Sequence, residues 1–241
     1  MSNDVWCWFL SLYKYIKEAV QNCQNKLKDN YFGGYELIAN APNPFPLVYE
    51  PDIYVSPFLS PEEASYYQTI VVVMRWMVKL GRVDIDVEVS HLSPFLAISR
   101  KGHMVSALHI MSYLIIRYNY CLVLDPPYSD INLSEFKSDG NWTDFCGDVK
   151  EANPHNASKP IGKEIELRMF VDYDHAREKT SRRSHTGYMI FMNISMIYCH
   201  TNKQATVVDA FFGAEYVAMK QGVEAMCGIR YKLLMMGVEV E

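Results

Sequence analysis

Positive charge is scarce in this sequence: 23 Lys and Arg stand against 28 Asp and Glu, a formal net charge of -5 over 241 residues. No overall basic field exists to hold phosphates nonspecifically, so any nucleic-acid contact must come from local clusters. Ordered cysteine spacing is missing as well. The six cysteines (Cys7, Cys23, Cys121, Cys146, Cys199, Cys227) form no Cys-x-x-Cys pair. That pattern excludes a zinc ribbon and fits a reducing compartment better than a disulfide framework. The seven histidines show no His-Glu-x-x-His or His-x-His spacing, and no nucleophilic Ser or Cys arrangement is visible. The apolar opening Val5-Trp6-Cys7-Trp8-Phe9-Leu10 is too short to cross a bilayer and follows Asp4 rather than a basic segment. The sequence therefore predicts a soluble intracellular protein, cytoplasmic or nuclear, with no membrane partner. Without a secretory signal, the glycosylation triplets at Asn141, Asn156 and Asn193 read as chance occurrences.

What is present is the composition of a packed chain: 49% hydrophobic and 21% charged residues, with 17 Tyr, 13 Met and 11 Phe. From Asp4 to Lys28 the positions Phe9, Tyr13, Ile16, Val20, Cys23 and Leu27 recur at helical steps, which predicts a first amphipathic helix. Gly33-Gly34 and five prolines between 29 and 59 predict a linker or extended strap. Ser60-Pro61-Glu62-Glu63 has the N-cap hydroxyl, the proline at the first helical position and the Glu that reaches back, so a helix should start there and end near Gly81. Two more helices are expected, about Val83–Ile98, kinked or shortened at Pro94, and about His103–Tyr118. Residues 61–118 thus predict a small helical bundle, with Trp6, Trp8 and Trp76 read as core.

Pro126-Pro127 and the aperiodic stretch to Gly162 predict a loop-rich boundary. Beyond it the period changes to two. Strands are expected at Ile165–Val171, Gly187–Met192 and Met196–His200, a three-strand meander. A long helix should follow from Val208 to Met236, with Phe212, Tyr216, Met219, Val223, Met226, Ile229 and Leu233 against the sheet and Gly237 at its end. Val238-Glu239-Val240-Glu241 could then begin a fourth strand. On this reading Glu215 lies on the sheet-facing stripe, and Glu224, about 180° around at about 100° per residue, points to solvent. A carboxylate on a buried stripe needs a partner, which Asp172 and a shared metal ion, or a nearby Lys, Arg or backbone donor, could supply.

Four segments carry a resemblance in their order and spacing: Phe170-Val171-Asp172-Tyr173-Asp174-His175-Ala176, Thr180 to Tyr188, Lys203-Gln204-Ala205-Thr206-Val207 and Gly213-Ala214-Glu215-Tyr216-Val217-Ala218. Together they resemble the ribonuclease H domain of copia-type LTR retrotransposon Pol polyproteins. Upstream, Ala64 to Gln68, Arg75-Trp76, Leu80 to Ile85, Glu88-Val89-Ser90 and Arg100 to His103 look like the thumb-and-connection end of the same family's reverse transcriptase. Lys14 to Val20 fits the segment before it.

The resemblance implies an α/β (α+β) chain in four parts: a helix and Pro-rich strap (1–59), a helical thumb/connection segment (60–124), a linker (125–162) and an incomplete ribonuclease H-like β-β-β-α unit (163–241). It further implies a site that hydrolyses the RNA strand of an RNA:DNA hybrid with two magnesium ions about 4 Å apart. Asp172 matches the first-strand Asp and Glu215 the helix Glu, with Asp174 or Glu239 as substitute ligands. The family's third ligand, in a Cys-Asp-Asn-like motif on the next strand, and its fourth Asp do not occur within these residues, nor does the Tyr-x-Asp-Asp motif of the polymerase. Ala176-Arg177-Glu178 and Cys199 also depart from the family pattern.

The resemblance thus predicts a remnant of a reverse transcriptase/ribonuclease H polyprotein without either activity. Two alternatives stay open: residual metal-dependent hydrolysis, and a non-catalytic nucleic-acid or protein-binding module. Lys179, Arg182, Arg183 and Lys203 flank the site and are either hybrid-backbone contacts or an ordinary solvated hairpin. His175 reads as a hydrogen-bond partner of Asp174. Without a fourth strand, the Ile165–Val171 strand would be an exposed apolar edge, open to self-association.

Overall fold

The computed structural model describes residues 7–28, 35–38, 40–46, 49–124, 147, 155–176 and 178–240. In chain order these form β1 (Trp8–Ser11), α1 (Tyr13–Lys28), α2 (Pro61–Lys79), α3 (Asp86–Leu92), α4 (Lys101–Ile116), β2 (Cys121–Leu124), β3 (Leu167–Asp174), β4 (His185–Met192), β5 (Ser195–Lys203) and α5 (Phe211–Met235). The fold is mixed α+β, with one two-stranded and one three-stranded antiparallel sheet.

The predicted first helix begins nine residues late. Its aromatic opening is β1, paired with β2 from Trp8↔Leu124 to Ser11↔Cys121. Trp8, Phe9 and Leu10 form an unbroken apolar run with no helical period, and aromatic residues favour a pleated surface. From Tyr13 the pattern takes over: Ile16, Val20 and Cys23 recur four and three residues apart and are buried.

Ser60 starts α2 as its sequence demands. The Ser60 hydroxyl accepts from the Glu63 amide at 3.2 Å, and the Glu63 carboxylate accepts from the Ser60 amide at 2.8 Å. The turn after α2 needs Gly81. Its φ is +114°, and a Cβ there would lie 2.9 Å from Leu122 of β2. The helix expected at Val83–Ile98 is broken: a 3-10 turn at Val83–Ile85, the short α3, then a second 3-10 turn at Ser93–Phe95 around Pro94. A proline in that run removes a helical hydrogen bond and clashes with the preceding turn.

α4 is the centre of the helical region. It buries ten residues from His103 to Leu114, more than one face of a helix can supply, because α1, α2 and α3 all pack around it. One continuous core results, running from Ile16 through Tyr67, Met74 and Ile85 to Leu114. Trp8 and Trp76 are outside that core, 81% and 54% exposed, a correction to their reading as core residues. Met74, Met77 and Val78 hold the inward face of α2 and turn Trp76 outward. Trp6, and most of the predicted boundary at 125–162, lie outside the described residues.

The meander is present, in the order β3-β4-β5, with a register irregularity at Ile190/Phe191. Asn193, at φ +55°, turns β4 into β5, and its amide and side-chain oxygen hold the backbone of Glu166. After α5 the chain returns beside the start of β3: Ile165 forms a parallel bridge with Val240, and its amide donates to Glu239 at 2.9 Å.

Candidate functional site

β3 delivers Asp172, Tyr173 and Asp174 to one end of the meander, opposite Gly187, Thr186 and His185 of β4. The same end receives the start of α5. Gln204, 1% exposed, makes the connection: its amide nitrogen donates to the Thr186 hydroxyl at 3.1 Å and to the Ala214 carbonyl at 3.0 Å. The His175 ring lies 4.2 Å from that of Phe211, a second tie between strand end and helix start. Its Nδ1 is buried without a hydrogen-bond partner.

The face that α5 turns to the sheet differs from the expected one. Ala214, Ala218 and Gly222 are buried, four residues apart, whereas Phe212, Tyr216, Met219 and Val223 are exposed. Space is the reason. A Cβ on Gly222 would stand 2.6 Å from the Met169 sulfur and 3.2 Å from Val171, so only small residues let the helix approach β3 this closely. Glu215 is therefore exposed, next to the inward stripe rather than on it, and Glu224 is exposed as expected. Met169 and Val171 meet the helix, so Asp172, one residue on, belongs by pleat alternation to the other face with the exposed Phe170.

Asp172 is exposed, and its carboxylate accepts from the Tyr173 amide at 2.8 Å; Asp174 is half-buried. Among the described residues no three His, Cys, Asp or Glu side chains are gathered as metal ligands, so Asp172, Asp174 and Glu215 do not form such a group. Magnesium demands near-octahedral oxygen coordination, and this donor set does not by itself fit it.

The flanking cations are partly engaged within the chain. Lys179 pairs with Glu50 at 2.5 Å, and its amide donates to Asp52 at 2.8 Å. Lys203 pairs at 2.8 Å with Glu178, a buried carboxylate that also accepts from Ser181. Arg182 is exposed at φ +57°, and Arg183 is half-buried with Nε lacking a partner. The hairpin is therefore anchored to the strap on both sides of Pro51, at Glu50 and Asp52, and two of its four cations already have carboxylates beside them.

Sequence reasoning missed the joint that carries this end of the molecule. α3 packs against β5, where Ser90 donates to the Thr201 carbonyl at 2.8 Å and the Cys199 thiol lies 3.8 Å from Asp86. The rings of His91 and His185 are 4.5 Å apart. Burial raises the Asp86 carboxyl above its usual range against the pull of Thr201, His200, Cys199 and Lys79, and pushes the Cys199 thiol to about 12. Glu88, 1% exposed, is raised to about 7, first by burial and further by Asp84 and Asp86. Just before α3 the buried Arg82 forms a two-pronged bond with Asp84, at 2.8 and 2.7 Å, while Tyr113 donates to the same carboxylate at 2.9 Å. Only the alternation of acids at 84, 86 and 88 signals this cluster in the sequence, and alternation does not reveal burial.

No protein-family model, no curated protein and no solved structure matches the chain. No helix among the described residues is long and apolar enough to cross a membrane.

Proposed function

We propose that this chain is a segment derived from a copia-type retrotransposon Pol polyprotein, with thumb/connection-like helices carrying a ribonuclease H-like unit that does not hydrolyse RNA by these residues alone. The observation that carries the reading is the order of the second unit. Three antiparallel strands precede a helix packed on the first of them, and the chain then returns parallel to that strand at Ile165 and Val240. Asp172 near the end of the first strand and Glu215 in the first turns of the helix add the chemical part of the resemblance.

The absence of hydrolysis rests on the carboxylates. An exposed Glu215 and an Asp172 on the far side of the pleat leave no cluster among the described residues able to fix two cations. A residual hydrolase is the second reading, favoured by Gln204, which ties the start of α5 to the strand end that holds Asp172. Cleavage of a labelled RNA:DNA hybrid in magnesium decides between them, with wild type, Asp172→Asn and Glu215→Gln compared on chains of equal circular dichroism. No cleavage above background in any of the three is expected. Wild-type cleavage lost in both variants and in chelator would overturn the proposal in favour of an assembled metal site.

A further inference from the structure

The joint between the helices and the meander leaves a cavity of about 230 Å³ where α2, α3 and β5 come together. In a chain of net charge -5 its walls are cationic: Arg75 and Lys79 enter from α2, and His200 and Lys203 from β5, with the Asn202 amide beside them. Asp86 is the one carboxylate among its described lining residues, and Thr201 and Cys199 engage it. Lys203 already has Glu178 at 2.8 Å, but an ammonium carries three donors and keeps two. Arg75 is exposed, with no ion pair among the described residues, and the Lys79 ammonium lies 5.5 Å from the Tyr198 ring. Four residues apart on α2, these two cations stand one above the other, where like charges repel. Burial holds the His200 imidazole below its usual range; Asp86 pulls it up and Lys79 pushes it down.

We propose that this cavity is a binding site for a phosphate group, taken as inorganic phosphate or as the head of a small phosphomonoester. Its size sets the first limit. Pockets for drug-sized ligands run to about 300–1,000 Å³, so a cavity of about 230 Å³ recognises a small group. Its donors set the second. Arg75 offers a planar fork that fits two oxygens of a phosphate, while Lys79 and Lys203 act as point charges and Asn202 adds a neutral amide. These groups arrive from α2 and β5, and a tetrahedral anion presents oxygens to both, which a flat carboxylate does not. The hydroxyls of Ser90 and Ser93 are not among the donors, since they give their protons to the Thr201 and Val89 carbonyls. An anion between Arg75 and Lys79 replaces their repulsion with two attractions and ties α2 to β5 across the joint. Binding should therefore also raise the melting temperature. The proposal does not rest on the ribonuclease H-like reading, because Asp172 and Glu215 take no part in it.

Calorimetric titration of the full chain with sodium phosphate and, separately, with adenosine monophosphate tests it, at an ionic strength held constant with sodium chloride. Arg75→Gln, Lys79→Gln and Lys28→Gln are compared with wild type on chains of unchanged circular dichroism. Lys28, exposed at the end of α1 and outside the cavity lining, reports the same loss of charge elsewhere. The expected result is saturable one-to-one phosphate binding, weakened about tenfold by Arg75→Gln and by Lys79→Gln, as for loss of a hydrogen bond to a charged group, and unchanged by Lys28→Gln. Adenosine monophosphate binding no tighter than phosphate names phosphate itself as the occupant; tighter binding with the same two losses names a phosphomonoester. No saturable binding of either by wild type, binding that both cavity variants retain in full, or an equal loss in Lys28→Gln would overturn the proposal.

Discussion

The helical region and the meander unit use apolar residues in opposite ways. Around α4, the bulky side chains of Ile16, Tyr67, Met74, Met77, Ile85, Leu92, Ile110 and Leu114 are all fully buried. In the meander unit the buried apolar residues are few, Tyr188, Ile190, Ala214, Ala218 and Leu234, and on α5 the inner face is held by small residues while Phe211, Phe212 and Tyr216 face out. Burial of large apolar groups is the main source of stability, so the helical region holds most of it. The unit bearing the carboxylates is the thinner structure, leaning on α3 through Ser90, His91 and Asp86.

Four substitutions probe this contrast. Leu114→Ala, at the centre of the helical core, should cost about 2–5 kcal/mol in urea unfolding and loosen both units together, since the meander rests on that core. A loss confined to the helices would separate them.

Glu88→Gln comes next and reads the joint. A carboxyl whose pKa rises from 4.5 to about 7 on folding holds its proton more tightly in the folded state. Its contribution is complete below pH 4.5 and is lost as the pH climbs through 7, by a loss on the order of 3 kcal/mol. The variant should therefore outlast wild type at pH 8 and match it near pH 4 in thermal melts. Equal melting at both pH values would deny Glu88 its raised pKa.

Gly222→Val forces a side chain into the space of Met169 and Val171, at a cost of about 1–3 kcal/mol. Hydrogen exchange should show faster exchange at 169–171, with the amides of α4 still protected. Ser60→Ala is the smallest change. It removes one half of the capping box of α2, worth about 1 kcal/mol, and should shift the urea midpoint without changing its slope.

Local chemistry made much of this fold legible. The start of α2 follows from Ser60, Pro61 and Glu63, the shortening of α3 from Pro94, and the meander from alternation on either side of Asn193. What stayed hidden was set by distance and volume. β1 pairs with a segment more than a hundred residues away, which no local pattern encodes. On α5 the hydrophobic period located a stripe, but close approach to β3 required the smallest residues, so Ala214, Ala218 and Gly222 took the inner face. That exchange moved Glu215 off the sheet side and left the candidate carboxylates ungathered. The joint at α3 was hidden because acids in alternation read as a solvated face until β5 covers them.

Calorimetric titration of magnesium into the folded chain, with Asp172→Asn and Glu215→Gln alongside, puts to the test the central point that Asp172, Asp174 and Glu215 are not gathered into a metal site. The account predicts no saturable binding in the millimolar range and superimposable traces for all three proteins. Saturable binding by wild type that both substitutions abolish would contradict it, and would mean that Asp172 and Glu215 hold a metal ion together.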